Sequence, residues 1–522
     1  MSSPNYATAQ KGPSSPASNN NNNPNASAKL PGARRRSLFK ANGMPGSPKE
    51  ARAHRISQDA HERKRQREQL IMGKRFRTLV DDDYEDSGTE SEYESNPSEV
   101  AELEAALAGS ESECLKGLKM LSSRLISPSR SLEKYILVGS CVPQLMRLIH
   151  SPNSEIQLQA TWCITNIAAG SAELCTKIMG AVPFLIQSLK ANNCDLADQA
   201  AWAIGNIAAE GPQFREELAK QGVTPPLVGL LNQEHSSRLT QTVCFALSNL
   251  ARCPSAAVRE LFDADIGPKL MQHLDSHASL DVLKEVFWVL VYITAGDINY
   301  AQRLIEEQDV IAALVPQLAK FADQGSAALP LIRTLGNVSA ISEATADRVL
   351  AFPEILKQLL HWVAESPART VKKEGLWVLS NLTAGTKTQV NKVLKQDTVA
   401  ILTQIMGHDA FDIRREAAFS LLNIANHGSD YFNSLNLKAL VPAFLDFFKT
   451  NATEFVRMAL HFFMLLVTEN SQGVDMLKSI DGAIDLIESA TLLDDEDIRH
   501  TTHLLMDRYY NEHIEPEIVR VV

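Results

Sequence analysis

From about residue 100 onward, short apolar segments follow one another along the chain, each separated from the next by polar residues, Pro or Gly. Gly or Pro directly precedes a fresh apolar segment at 180–185 (GAVPFL), 221–227 (QGVTPPL) and 440–445 (LVPAFL). Such residues stop one helix and start the next. The pattern predicts an all-α body made of many short helices.

Within this body, an aromatic residue is followed four positions later by asparagine, again and again. The full pairs are Trp162/Asn166, Trp202/Asn206, Phe245/Asn249, Trp377/Asn381 and Phe419/Asn423, with Trp288/Tyr292 as a variant and Arg333/Asn337 keeping only the asparagine. Successive first members are 40, 43, 43, 45, 44 and 42 residues apart. A period in this range is typical of an array of helical repeats rather than of a compact enzyme.

Residues four apart share one face of a helix, so each repeat presents an aromatic ring beside an amide. A single tryptophan in an apolar helix is more often a core residue, and that interpretation stays open for each pair taken alone. A buried amide without partners costs about 1–3 kcal/mol, which makes repeated asparagines harder to explain as core. An amide can bond the backbone of an extended peptide, and an aromatic face suits a Lys or Arg side chain.

Acidic and amide side chains accompany the pairs at a repeated offset. Glu210 lies eight positions after Trp202, and Gln199 lies three positions before it. Glu285, Glu374 and Glu416 take the same place before Trp288, Trp377 and Phe419. For any one of them a solvated surface charge is the simpler interpretation, but carboxylates beside aromatic rings also favour a cationic guest.

The segments ATWCITNIAAG, QAAWAIGNIAAEG, VCFALSNLAR, EGLWVLSNLTAG and EAAFSLLNIANHG resemble the third helices of armadillo repeats in the importin-α family. The resemblance implies a right-handed armadillo superhelix of about ten repeats of roughly 42 residues over residues 101–515, with a tail at 516–522. It also implies a major peptide-binding groove lined by Trp162, Asn166, Gln199, Trp202, Asn206, Glu210, Phe245 and Asn249.

A minor groove is implied at Trp288, Tyr292, Asn337, Glu374, Trp377, Asn381, Glu416, Phe419 and Asn423. Four residues depart from the family pattern in ways that bear on signal preference. Phe245 and Phe419 replace tryptophan, Cys175 stands at the usual threonine of the deepest lysine pocket, and Glu210 stands for an aspartate. The resemblance further implies that an export receptor binds the C-terminal repeats.

The N-terminal region differs sharply in charge from the body. Residues 1–80 carry a net charge of +12 while the whole chain carries −11, so residues 81–522 carry −23. Residues 1–49, rich in Ser, Asn and Pro, are expected to be disordered, and 81–100 form an acidic flexible linker. Residues 50–80 resemble the importin-β-binding segment of the family, with carrier-binding and autoinhibitory candidates Arg63, Lys64, Arg65, Arg67, Lys74, Arg75 and Arg77.

A basic tail of this kind is also compatible with nucleic-acid binding. Few aromatic residues interleave the basic clusters, which disfavours base stacking, and we expect no direct nucleic-acid partner.

The first 30 residues are polar, and the longest apolar stretch, 287–295, is too short to span a bilayer. We therefore expect no membrane insertion. The resemblance implies a chain that shuttles between cytoplasm and nucleus.

Recognised catalytic motifs are missing: there is no P-loop, dinucleotide fingerprint, G-x-S-x-G or HExxH. The seven cysteines include no CxxC and are expected to be reduced core thiols, and the pair His500/His503 is a weak metal candidate. We expect no enzyme activity, no cofactor and no metal site.

Together with the resemblance, the repeat pattern predicts a nuclear import adaptor that binds Lys/Arg-rich signals and an importin-β carrier. The alternative is an armadillo scaffold or a dedicated carrier for a few clients.

Overall fold

The computed structural model describes residues 97–510 except 232–235, 253–255, 276–277 and 451. In this part of the chain every regular element is a helix, and no strand occurs. The predictions for residues 1–49, for the basic segment 50–80 and for the tail 516–522 lie outside the described residues.

The helices are short and follow one another closely. The first half comprises α1 (Pro97–Ala108), α2 (Glu111–Arg124), α3 (Arg130–Val138), α4 (Cys141–Leu148), α5 (Ser154–Ala168), α6 (Ala172–Ile178), α7 (Val182–Leu189), α8 (Cys194–Glu210), α9 (Pro212–Lys220), α10 (Thr224–Gly229), α11 (Ser237–Ala251), α12 (Ala256–Asp263), α13 (Ile266–Asp275), α14 (Leu280–Ala295) and α15 (Ile298–Glu306). The second half comprises α16 (Val310–Leu314), α17 (Leu318–Phe321), α18 (Leu329–Ile341), α19 (Glu343–Val349), α20 (Pro353–Glu365), α21 (Arg369–Thr383), α22 (Lys387–Leu394), α23 (Thr398–His408), α24 (Phe411–Ala425), α25 (Ser429–Asn433), α26 (Leu437–Leu445), α27 (Thr453–Glu469), α28 (Gly473–Lys478), α29 (Ala483–Ser489) and α30 (Glu496–Tyr510). Short 3₁₀ turns lie at Met179–Ala181, Val315–Gln317, Gly325–Ala328, Asp446–Thr450 and Ala490–Leu492.

Polar caps set the start of three helices that carry the repeated pairs, α8, α11 and α14. The side chain of Asn193 accepts a hydrogen bond from the backbone of Leu196 at the start of α8. Ser236 and Ser279 do the same at the starts of α11 and α14. Each cap satisfies one of the backbone N–H groups that a helix N-terminus leaves unpaired, which fixes where the helix begins.

Ten of the helices pack side by side in one continuous row, which we call the row helices. Each contacts the next along α2, α5, α8, α11, α14, α18, α21, α24, α27 and α30, and the remaining helices pack around this row. The packing buries one continuous apolar core from Leu103 to Leu505. The aromatic–asparagine pairs therefore lie on consecutive, mutually packed helices, as the repeat spacing predicts.

Two of the three predicted helix joints are confirmed. A 3₁₀ turn precedes α7 at Val182, and a break separates α9 from α10 at Thr224. The prediction at 440–445 is wrong because Pro442 lies inside α26, which starts at Leu437 after the capping residue Asn436. Pro442 occupies the second turn of this short helix. Because proline has no backbone N–H, the helix lacks one of its few main-chain hydrogen bonds.

The acidic linker also ends earlier than expected. Helix α1 begins at Pro97, so the last residues of segment 81–100 are helical. The helix is held to the body by an ion pair of 3.0 Å between Glu99 and Arg124 of α2. An acidic residue in a first helical turn is also favoured by the helix dipole.

The cysteine prediction holds for most of the thiols that the structure describes. Five free cysteines are buried, namely Cys114, Cys141, Cys163, Cys175 and Cys244, whereas Cys194 at the start of α8 is exposed. Burial raises the pKa of the Cys141 thiol to about 12. Within the described ranges, no helix combines the length and the apolar content needed to cross a membrane.

Candidate functional site

The asparagines of the repeated pairs reach across the joints between row helices. The Nδ2 atom of Asn206 on α8 donates a hydrogen bond to the main-chain carbonyl of Thr165 on α5, 3.1 Å away. The same bond joins Asn166 to Ser122 (3.0 Å), Asn337 to Val291 (3.1 Å), Asn381 to Gly336 (3.1 Å) and Asn423 to Ser380 (2.8 Å). These asparagines are buried, so each bond fixes an amide at the interface between two repeats.

Asn249 departs from this arrangement. Its Oδ1 atom accepts a hydrogen bond of 3.3 Å from Nη1 of Arg252, and its buried Nδ2 atom has no partner among the described residues. The guanidinium of Arg252 also lies over the ring of Tyr292, 5.7 Å from its centroid. This pair thus differs from the others in contacts that its sequence spacing does not reveal.

The aromatic members of the pairs differ in how far they reach into solvent. Trp162, Trp202, Trp288, Tyr292 and Phe419 are half-buried, whereas Phe245 and Trp377 are buried. Neighbouring rings contact one another along the row: Trp202 and Phe245 have centroids 6.3 Å apart, and Trp288 stacks on Tyr292 at 6.2 Å.

Two glycines explain why two of these rings are buried. A Cβ atom on Gly205 would overlap the ring of Phe245, and a Cβ atom on Gly336 would overlap the ring of Trp377. The helix before each aromatic therefore lacks a side chain where the ring packs. Phe245 and Trp377 therefore act to a large extent as core residues that pack one repeat against the next.

Arg333 takes the place of an aromatic in the row and is itself buried. Its Nη2 atom lies 3.1 Å from Oε1 of Glu374 on the following row helix. Its guanidinium also lies over the ring of Trp288 on the preceding row helix, 5.5 Å from the centroid. An arginine of the chain thus contacts an aromatic face and a carboxylate, the two groups that the sequence analysis offers to a basic guest.

The other predicted polar residues have contacts within the chain as well. Oε1 of Glu416, which is fully buried, pairs with Nη2 of Arg415 at 2.8 Å. The hydroxyl of Thr165 lies 3.1 Å from the main-chain carbonyl oxygen of Gln199 and 3.3 Å from its Oε1 atom, and either oxygen can accept its single O–H. The sequence does not single out Arg333, Arg415 and Thr165 as the partners of Glu374, Glu416 and Gln199. Two signals were available: Arg415 is adjacent to Glu416, and Arg333 shares the spacing of the aromatic–asparagine pairs.

The resemblance assigns Glu210 and Cys175 to the deepest lysine pocket. Glu210 is the last residue of α8 and is half-exposed. The thiol of Cys175, fully buried on α6, donates to the carbonyl of Ala168 at the end of α5, 3.2 Å away. The Cys175 side chain therefore offers a guest no exposed surface in this structure.

Metal-ligand chemistry finds little support in the described part of the chain, which contains no group of three or more His, Cys, Asp or Glu able to hold a metal ion. His500 and His503 are both exposed on α30. The basic candidates Arg63, Lys64, Arg65, Arg67, Lys74, Arg75 and Arg77 lie outside the described residues.

Comparison with known proteins supports the repeat architecture. Residues 134–169 and 177–209 match the family model described as Armadillo/beta-catenin-like repeat. Among solved structures, an engineered protein aligns with a TM-score of 0.68 and 20% identity, covering 79% of this chain and 99% of that chain. At this identity the likeness concerns the fold.

Curated relatives extend the match to most of the chain. Importin subunit alpha-2 of Oryza sativa subsp. japonica is 33% identical over 437 residues, which cover 79% of this chain and 82% of the relative. Importin subunit alpha-9 of Arabidopsis thaliana is 28% identical over 487 residues, covering 86% and 92%. Importin subunit alpha-3 of Caenorhabditis elegans is 36% identical over a shorter stretch of 287 residues.

Proposed function

The chain belongs to the importin-α family, and from this premise we propose that it is a nuclear import adaptor. In this proposal the row helices bind Lys/Arg-rich nuclear localisation signals, and the N-terminal basic segment links the cargo to an importin-β-type carrier. The adaptor would shuttle between cytoplasm and nucleus and meet an export receptor at its C-terminal repeats.

The observation that carries the proposal is the register of the amides along the row. Five asparagines donate an N–H to a carbonyl of the preceding row helix and are thereby held in one orientation, and Asn337 also donates to the hydroxyl of Thr294, 3.0 Å away. A side-chain amide carries both donors and acceptors, as the backbone of an extended peptide does. Row helices about 10 Å apart match about three residues of an extended peptide, which rises about 3.3 Å per residue. Fixed amides on neighbouring row helices suit the backbone of such a peptide.

The charge of the body supports a basic guest. Residues 81–522 carry a net charge of −23, and Glu210 places a half-exposed carboxylate at the end of a row helix. We propose that the main basic cluster binds at Trp162, Asn166, Gln199, Trp202, Asn206, Glu210, Phe245 and Asn249. A second cluster would bind at Trp288, Tyr292, Asn337, Glu374, Trp377, Asn381, Glu416, Phe419 and Asn423.

The carboxylates of the second proposed site are engaged within the chain. Glu374 and Glu416 are paired with Arg333 and Arg415, so a basic guest at the second site competes with arginines of the chain. We therefore propose that these arginines weaken the binding of basic peptides at the second site.

The charge reversal Glu210→Lys tests the first site. It places a cation where a signal lysine would bind, and the variant should bind a fluorescent lysine-rich peptide at least about tenfold more weakly at low salt. Glu488→Lys, an exposed charge reversal on α29, is the matched control and should bind as the parent does. If anisotropy titrations give both variants the parental affinity, the first site is wrongly placed.

A further inference from the structure

A cavity of about 320 Å³ lies outside the row helices, between α6 and α9. Met179 and Phe214 supply apolar surface, and Ala172 and Thr176 of α6 form one wall. Apolar atoms make up most of the lining. Its volume is at the lower end of the roughly 300–1,000 Å³ seen for small-ligand pockets, so it suits one or two side chains rather than a cofactor.

The cavity lies on the outer side of the two helices because each turns a buried face toward the core, and Phe214 belongs both to that face and to the lining. Leu174, Cys175 and Ile178 bury one face of α6, which turns Ala172 and Thr176 outward. On α9, Phe214 and Leu218 are buried, whereas Gln213 and Glu217 are exposed on the outer face of the helix. The cavity is therefore open to solvent while its floor belongs to the core.

Both helices place a carboxylate in the lining. Glu173 of α6 and Glu217 of α9 are exposed, and no Lys, Arg or His is among the residues that line the cavity. Glu217 is held by a hydrogen bond of 3.0 Å from Nε2 of Gln221 to its Oε1 atom. An apolar floor between two carboxylates complements an apolar side chain with a cation on either side.

We propose that this cavity is an additional peptide-docking site, outside the row helices, which takes one aromatic or aliphatic side chain flanked by Lys or Arg in a partner protein. None of its lining residues belongs to the sites proposed on the row helices. The proposal therefore stands or falls independently of signal binding by the row.

The test uses the full chain labelled with ¹³C at the methionine methyl groups, and the Met179 signal is assigned by Met179→Leu. The probe is the synthetic peptide Lys-Lys-Phe-Lys-Lys, with Lys-Lys-Gly-Lys-Lys and Glu-Glu-Phe-Glu-Glu for comparison. The first peptide should shift the Met179 methyl signal saturably, and the other two should leave it in place. The glycine peptide separates cavity binding from general attraction of cations, including any binding on the row.

Three variants locate the binding. Thr176→Trp fills the cavity with a ring and should abolish the shift. The double variant Glu173→Lys/Glu217→Lys should raise the apparent Kd about tenfold, since it reverses two exposed charges that would contact the lysines of the peptide. Glu216→Lys changes an exposed neighbour on α9 outside the lining and should have no effect. A Met179 signal that never moves, an equal shift with the acidic peptide, or an unchanged Kd in the double variant would each overturn the proposal.

Discussion

The side-chain amide of Asn381 donates a hydrogen bond to the main-chain carbonyl of Gly336, 3.1 Å away across the joint between α18 and α21. The ring of Trp377, one turn earlier on α21, packs where Gly336 would otherwise carry a Cβ atom. Both members of an aromatic–asparagine pair thus contact one residue of the preceding repeat. The pair holds two repeats together in addition to any contact that it makes with a guest.

This relationship makes Gly336→Ala a sharp test of the joint. The added methyl group would overlap the Trp377 ring, and overpacking of this kind costs about 1–3 kcal/mol. Thermal denaturation should therefore show a lower midpoint. Gly407→Ala is the matched control because no heavy atom lies within 4 Å of the added Cβ in helix α23. It should be neutral or slightly stabilising, since alanine is the better helix former.

Much of this architecture follows from local sequence signals. The phase of the aromatic–asparagine pairs predicts the row helices α5 to α24, and Gly or Pro at 180–185 and 221–227 predicts two joints. These signals act over a few residues, so they can be read along the chain. Pro442 misleads the same reasoning because a proline inside a short helix does not always end it.

The partners of the site residues cannot be read in the same way. The carbonyls that accept from Asn206 and Asn337 lie 41 and 46 residues earlier in the sequence. Which carbonyl is in reach depends on how successive helices pack. The sequence thus indicates which side chains recur on one helix face, while the pairing of Arg333 with Glu374 emerges only from the packed repeats.

Asn206→Ala should weaken both the fold and peptide binding. The substitution leaves the buried carbonyl of Thr165 without this donor, which lowers stability by about 1–3 kcal/mol. If Asn206 also contacts a signal backbone, the affinity for a lysine-rich peptide falls by a similar free energy, measured by calorimetry well below the denaturation midpoint. Asn192→Ala in the exposed loop before α8 serves as control. Lower stability with unchanged affinity would assign Asn206 to the joint alone.

Arg333→Met should strengthen binding of a basic peptide at the second proposed site. The variant removes the guanidinium that contacts both Glu374 and the Trp288 ring, so a guest cation no longer competes with it. It should also lower stability, because a largely buried carboxylate loses an ion-pair partner.

Arg303→Met provides a control of the same chemistry at a different place. Arg303 also pairs with a carboxylate, Glu307, and lies over an aromatic ring, Phe262, but on α15 outside the row. Its removal should leave peptide affinity unchanged. Titrations carried out with Glu210→Lys as background isolate the second site, and an affinity there that does not rise in Arg333→Met would contradict the competition.

His461 gives the stability of the C-terminal repeats a pH dependence. Its Nε2 atom lies 3.0 Å from Oδ1 of Asn426, and burial lowers the pKa of the imidazole to about 4. The unfolded chain, with an ordinary histidine pKa of about 6.5, therefore binds more protons between these values. Stability should fall as the pH drops from about 6.5 towards 4, by on the order of 1–2 kcal/mol.

His461→Gln isolates this contribution, because glutamine keeps a donor for Asn426 and does not titrate. Its denaturation midpoint should depend less on pH than that of the parent over the same interval. The difference between the two curves removes the contributions of the other histidines. Parallel curves would show that His461 does not carry the effect.

The N-terminal segment should compete with cargo for the row helices. Residues 1–80 carry +12 and are covalently tethered to a body that carries −23. A flexible tether raises the local concentration of a weak internal ligand to as much as about millimolar. Deleting residues 1–80 should therefore raise the apparent affinity for a signal peptide and abolish binding to an importin-β-type carrier.

Substitutions can separate the two roles of this segment. Replacing Lys74, Arg75 and Arg77 by alanine should raise peptide affinity but largely spare carrier binding, which we assign mainly to Arg63, Lys64, Arg65 and Arg67. The triple alanine variant of 34–36 removes the same amount of charge outside residues 50–80 and is the matched control. Equal peptide affinity with and without residues 1–80 would exclude autoinhibition, and carrier binding that survives the deletion would exclude docking through this segment. If the 34–36 variant raises peptide affinity as much as the 74–77 variant does, net charge alone, rather than a signal-like sequence, accounts for the competition.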